Sequence, residues 1–345
     1  MPINLLKLPL LVRVQVVKEL EYQEAFLLSL CSRRSNYSVK IARIKVPKLV
    51  FRLGGCFGYD ESEIGVVVNK EWLPVTSLLH VRRLALKEIF TLKLGLEYEA
   101  DTNFDLKEQK NGTFLHRMEC ANEPMAILKA LQRYINSIFH YSDNYQVLLS
   151  MDYKGSLPSI TNVKEIEIKQ GTVDPQLLTN VLTTYPDHQS LAVRSRIVGE
   201  IPKESPFFQA ETIIVACQSG PDYFHNFNGR NIWLQRATFT EQDLIQFLQK
   251  WISNEAYHNL ETCIFFLEAR IINGDLIRQA IEFEEYDPNE RETSPTYCVI
   301  DIPYHEADSH KFALEGFMEI KRIADGKRAL LGINYNRFYI LVHNN

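Results

Sequence analysis

Over its first forty residues the chain places apolar side chains at helical spacing, in three short runs. Leu10, Val14 and Val17 stand at i, i+4 and i+7, while Val12, Val16 and Leu20 widen the apolar side. Pro9 suits the first position of this helix, where its missing N–H leaves nothing unsatisfied. A second helix is predicted over residues 23–30, with Ala25, Phe26, Leu28 and Leu30 apolar and Glu24 in the first turn, where the helix dipole favours a carboxylate. Ser32 is a candidate N-cap for a third helix through Arg33, Arg34 and Tyr37 to Val39 and Ile41, ending before the turn at Pro47. Three helices this short bury too little surface to be secure alone, so their remaining apolar side needs the next domain or another protein.

Beyond residue 45 the period shortens towards two. Residues 48–53 and 64–69 read as antiparallel strands, with Gly54-Gly55 offering an easy positive φ at the turn. Residues 105–112 are polar and turn-rich, and residues 124–139 read as a helix on Ile127, Leu128, Leu131, Ile135 and Ile138. From residue 145 a strand, polar turn, helix grammar recurs. Strand 163–168 precedes helix 175–182, and strand 231–235 precedes helix 241–252, with further strands at 190–194, 212–217 and 260–267. Strand starts every 20 to 30 residues or so fit a degenerate leucine-rich-repeat-like arc, in which each unit covers its neighbour's apolar face. An ordinary α/β domain accommodates the same pattern, because the consensus leucines and asparagines are sparse. In helix 241–252, Leu244, Phe247, Leu248 and Trp251 form a core stripe, and Thr240 caps it with Asp243 at the capping-box position. Residues 317–322, the Asp325-Gly326 turn and residues 327–333 make a hairpin, followed by a strand at 338–342 that would close the arc's open edge.

The expected fold class is therefore α+β: a small three-helix segment at 1–45, a connecting α/β region at 46–144, and a repeat-like domain with a C-terminal hairpin at 145–345. With 46% hydrophobic and 23% charged residues the chain has a globular composition. Its net charge of −5 is unevenly divided. Residues 1–45 hold eight basic side chains (Lys7, Arg13, Lys18, Arg33, Arg34, Lys40, Arg43, Lys45) against Glu19, Glu21 and Glu24, which is +5 and leaves −10 for the rest. That asymmetry points to an acidic partner for the first segment, with a solvated helical face as the plain alternative, and the acidic remainder disfavours extensive nucleic-acid contact. Six scattered cysteines lack CxxC pairs, so reduced thiols are expected. Lys7 and Arg13 break the apolar start, which argues against a secretory signal and for a cytoplasmic or nuclear protein. The Asn36-Tyr37-Ser38 and Asn111-Gly112-Thr113 sequons are then chance matches, and no apolar stretch approaches the roughly 20 residues of a membrane span.

Leu8-Pro9, Val12, Val16-Val17, Leu20, Glu24-Ala25-Phe26, Leu28, Leu30-Cys31-Ser32-Arg33-Arg34 and Val39 resemble, without a gap, the F-box pattern, in the form expanded among nematode families. Leu11 and Ser35 depart from it, standing where an acid and an aromatic are common. The resemblance implies docking onto the acidic Skp-type linker of cullin-based ubiquitin ligases through Leu8, Pro9, Val12, Val16, Val17, Leu20, Phe26, Leu28, Cys31, Arg33 and Arg34. Residues 240–252, followed by Leu260-Glu261, are similar to the nematode F-box-associated domain of the second type. Together the two resemblances cover residues 1–45 and 200–268. The bland alternative for the first is an amphipathic helical start of some other domain.

No arrangement of residues demands chemistry. His305-Glu306 and His310 have the wrong spacing for a zinc helix, since i and i+5 do not share a face. Residues 54–58 lack phosphate-loop spacing, and Cys217 reads as a buried strand thiol. The aromatic loop with Tyr223, Phe224, His225 and Phe227 is a candidate target-binding surface, against the equal alternative of packing on a neighbouring unit. The expectation is a non-enzymatic adaptor without cofactor or metal, linking the ligase scaffold to a target protein. A scaffold acting outside ligase assembly and a hydrolase with an unrecognised site are the alternatives.

Overall fold

The computed structural model describes residues 5–54, 61–69, 71–81, 84, 89–94, 98–108, 114–121, 124–141, 145–153, 156–268, 270–286 and 316–343. The fold is mixed α/β with a helical N-terminal region, and the chain forms two compact units, Met1–Ile166 with Thr184–Asp187, and Glu167–Thr183 with His188–Asn345.

The first unit opens with α1 (Leu10–Lys18), α2 (Tyr22–Cys31) and α3 (Arg33–Ala42). Pro9 precedes α1 with extended backbone (φ −52°, ψ 147°), so it flanks the first turn and does not occupy it. α2 starts with a reciprocal capping box between Glu21 and Glu24, and the Ser35 amide donates to Ser32 Oγ at 3.1 Å to start α3. There follow β1 (Lys45–Val46), β2 (Leu49–Leu53), β3 (Glu61–Val68), β4 (Glu71–His80), β5 (Phe90–Leu94), β6 (Tyr98–Glu108), β7 (Phe114–Cys120), α4 (Pro124–Ile138), β8 (His140–Tyr141) and β9 (Tyr145–Ser150). The strands lie in the order β9-β2-β3-β4-β7-β6-β5, with β9/β2 and β4/β7 parallel and the remaining pairs antiparallel. One expectation is corrected here. Residues 105–108 are strand, because cross-strand partners override turn-like composition; Asp105 faces Arg117 with a 2.6 Å ion pair. The two compact units divide within β10 (Val163–Lys169), and β9, which pairs with β2, lies in the first unit.

The second unit adds β11 (Thr172–Val173), α5 (Pro175–Thr184), β12 (Ser190–Val193), β13 (Arg196–Ile197), β14 (Thr212–Ser219), α6 (Asp222–His225), β15 (Asn231–Ala237), α7 (Glu241–Ile252), β16 (Thr262–Leu267), α8 (Gly274–Gln279), β17 (Glu284–Glu285), β18 (Met318–Lys321), β19 (Arg328–Asn334) and β20 (Arg337–Val342). β12, β14, β15 and β16 are parallel neighbours in chain order, and β20, β19, β18 and β17 continue the sheet antiparallel. Register stacks like on like until it shifts after Val215 and Leu234. Val193, Val215, Leu234, Phe265 and Phe338 share one row, and Phe265 meets Phe247 of α7 and Phe224 of α6 at ring-centroid distances of 6.0 and 5.6 Å. On the opposite face Ala192, Ile214, Trp233, Ile264 and Tyr339 pack as a second apolar row, joined by Phe266 and Phe317. Phe317 lies over Gly332, where a β-carbon would collide with its ring. The helix layer is less regular than the sheet: only the four-residue α6 separates β14 from β15.

Candidate functional site

α2 and α3 are fastened to their own unit from one side. Phe26 is fully buried and meets Tyr134 of α4 edge-on at 6.1 Å. The Tyr134 hydroxyl donates to Ser29 Oγ at 3.0 Å and accepts from Asn36 Nδ2 at 2.9 Å, tying both helices to α4. Burial pushes the Tyr134 phenol up, and these two bonds pull it partly back. Gln23 bridges α2 to β7, its Nε2 donating to the Phe114 carbonyl and its Oε1 accepting from the His116 amide, both at 3.1 Å. Tyr22 packs on Phe139 and donates to the Lys45 carbonyl at 2.9 Å.

α1 is different. Six of its nine residues are aliphatic and are distributed all round the helix. Val17 is sealed inside, but Leu11 is 83% exposed, Val12 47% and Val16 39%, with Leu10 and Tyr37 also exposed. A helix apolar all round is normally enclosed on all sides. The charge of this N-terminal segment is mostly unpaired: among the described residues none of Lys7, Arg13, Lys18, Arg33, Arg34, Lys40, Arg43 and Lys45 forms an ion pair. Glu21 and Glu24 are occupied by the cap of α2, and Glu19 accepts from Gln15 at 2.9 Å.

The residues singled out for linker contact therefore divide. Pro9, Val12, Val16, Cys31, Arg33 and Arg34 are exposed, Leu8, Leu20 and Leu28 are half-buried, and Val17 and Phe26 are core. Leu10 and Leu11 of α1 and Tyr37 of α3 are also exposed without having been singled out for that contact. The signal for the two leucines was available, since an unbroken Leu10-Leu11-Val12 run cannot fit a single stripe.

The aromatic loop is not an exposed recognition surface. Residues 222–225 form α6, and Phe224 and Phe227 are 1% and 3% exposed. Phe224 packs on Phe239 at 4.7 Å and on Phe247 at 5.2 Å, so these aromatics fill the space beneath a short connection that no long helix covers. Tyr223 and His225 are half-buried; His225 Nδ1 lies 3.2 Å from the Tyr257 hydroxyl, and burial and then Lys250 lower its pKa. Cys217 is a buried thiol of β14, raised by that burial. Residues 305–310 and 55–58 lie outside the described residues. Among the described residues no helix is long and apolar enough to cross a membrane. No family model, curated protein or solved structure matches the chain.

Proposed function

We propose that the chain is a substrate-recognition adaptor of a Skp-cullin-F-box ubiquitin ligase, with the three N-terminal helices as its F-box and the second unit as a leucine-rich-repeat-like domain that selects a target protein. One observation carries the reading: α1 carries aliphatic residues all round, yet Leu10, Leu11, Val12 and Val16 stay exposed, in a segment whose basic residues lack ion-pair partners among the described residues. An acidic partner with an apolar groove answers both needs, because contact buries the aliphatic side chains and neutralises the rim. The adaptor performs no chemistry in this reading and acts by bringing a target near the ligase. The sequential parallel strands β12, β14, β15 and β16 support the repeat-like description of the second unit.

The test is co-purification of the tagged full chain from cells, with Val12→Asp combined with Val16→Asp as the comparison. Linker and cullin are expected with the native chain and absent with the variant, whose circular dichroism stays unchanged. Linker without cullin favours a scaffold outside the ligase. Failure of the native chain to capture the linker refutes the reading.

A further inference from the structure

Among the described residues the sheet of the second unit ends at β17, which pairs with β18, Glu284 opposite Glu319 and Glu285 opposite Met318. Beside this edge runs a groove of about 510 Å³, with Ile252, Ile281, Phe283 and Ile323 as its apolar lining and Glu282 and Glu284 on its wall. Ile323 is 78% exposed on a loop that is nevertheless held firmly. Its amide donates to the Ile252 carbonyl at 2.9 Å, and the neighbouring Arg322 is buried, stacked on Trp251 at 4.7 Å and paired with Asp325 at 3.3 Å. An apolar side chain displayed on a fixed backbone loses little freedom when a partner covers it.

The charge of the groove is equally directional. Residues 281–286 carry Glu282, Glu284 and Glu285 and no basic residue, and all three glutamates are exposed without an ion pair among the described residues. Arg328, on the same wall, is already bound to Glu319 at 2.7 Å, which leaves Lys321 as the other cation of the lining. A second copy of this chain fits poorly here, since it would set the same three glutamates against themselves. An extended segment with cations flanking an apolar residue fits, because strand addition supplies backbone hydrogen bonds while alternating side chains find the groove and the rim.

We propose that this edge groove docks an extended basic segment of a partner protein, one large apolar side chain seated among Ile252, Ile281, Phe283 and Ile323 and flanking Lys or Arg side chains on Glu282, Glu284 and Glu285. As the place where a target is selected it rests on the adaptor reading; as a peptide-docking site it does not.

The test is fluorescence anisotropy of the full chain with a labelled short peptide of alternating Lys and Leu, beside its Glu and Leu counterpart. The native chain is expected to bind the basic peptide and not the acidic one. Glu282→Gln, Glu284→Gln and Glu285→Gln together should weaken binding about 10-fold. Phe283→Ser with Ile323→Ser should weaken it by about 10-fold as well, and Ile323→Ser alone, at a site too exposed to unfold the unit, by a measurable part of that. No binding by the native chain overturns the proposal, and so does weakening by the glutamine variants alone, which would mean attraction without a seat. Val12→Asp with Val16→Asp should leave peptide binding intact. If the native chain captures no linker yet binds the peptide, the adaptor reading falls and the docking site stands.

Discussion

α1 and α7 each carry six large apolar residues, yet one is half exposed and the other supplies the centre of a core. In α7 the apolar positions gather on one side: Leu244, Phe247, Leu248 and Trp251 are sealed against the sheet, and glutamine, glutamate and lysine take the other. Its start is fixed by Thr240 and Asp243, whose side chains each bond the other's amide, at 3.2 and 2.8 Å. α1 has no side-chain cap, and its aliphatic residues leave no polar side to turn outward. The number of apolar residues on a helix thus says little about its burial; their angular distribution says whether one chain can cover them.

This contrast is sharpest in core truncation. Phe247→Ala removes a ring that touches Tyr257, Phe224, Phe265 and Phe338, and should cost the second unit about 3–5 kcal/mol, read from urea denaturation followed by tryptophan fluorescence. A midpoint shift no larger than that of a surface substitution would erase the difference between the two helices. Thr240→Ala, which deletes the cap and leaves the stripe, should cost about 1 kcal/mol in the same measurement. Leu11→Ser should change stability by no more than about 0.5 kcal/mol, because that side chain is largely in water. A large loss there would mean that the outer face of α1 is held by its own chain.

Much of the fold was legible in local pattern. The helix over 241–252, its threonine cap, the Ser32 cap of α3 and the strands at 163–168, 212–217 and 231–235 lie within a few residues of their expected places, because each depends on neighbours along the chain. Misreadings arose where distant partners decide. Asp105 looked like a turn residue until Arg117 stood opposite it, and for Phe224 the sequence left surface anchor and packed core ring as equal readings until Phe239 and Phe247 closed over it. Within the candidate face, Val12 and Val16 were legible as an apolar pair, whereas Val17 and Phe26 were assigned outward and belong inside.

Periodicity, caps and charge asymmetry thus located the N-terminal helices, the helices at 124–139, 175–182 and 241–252 and several strands, and the presence of an apolar, basic N-terminal segment. Which apolar side chains were left over was settled only when β9 returned to pair with β2, α4 and Tyr134 closed on one side of α2 and α3, and nothing described covered the outer side of α1. The reason is physical: helix propensity and capping act over a few residues, while burial is a property of whatever surfaces the rest of the chain brings back.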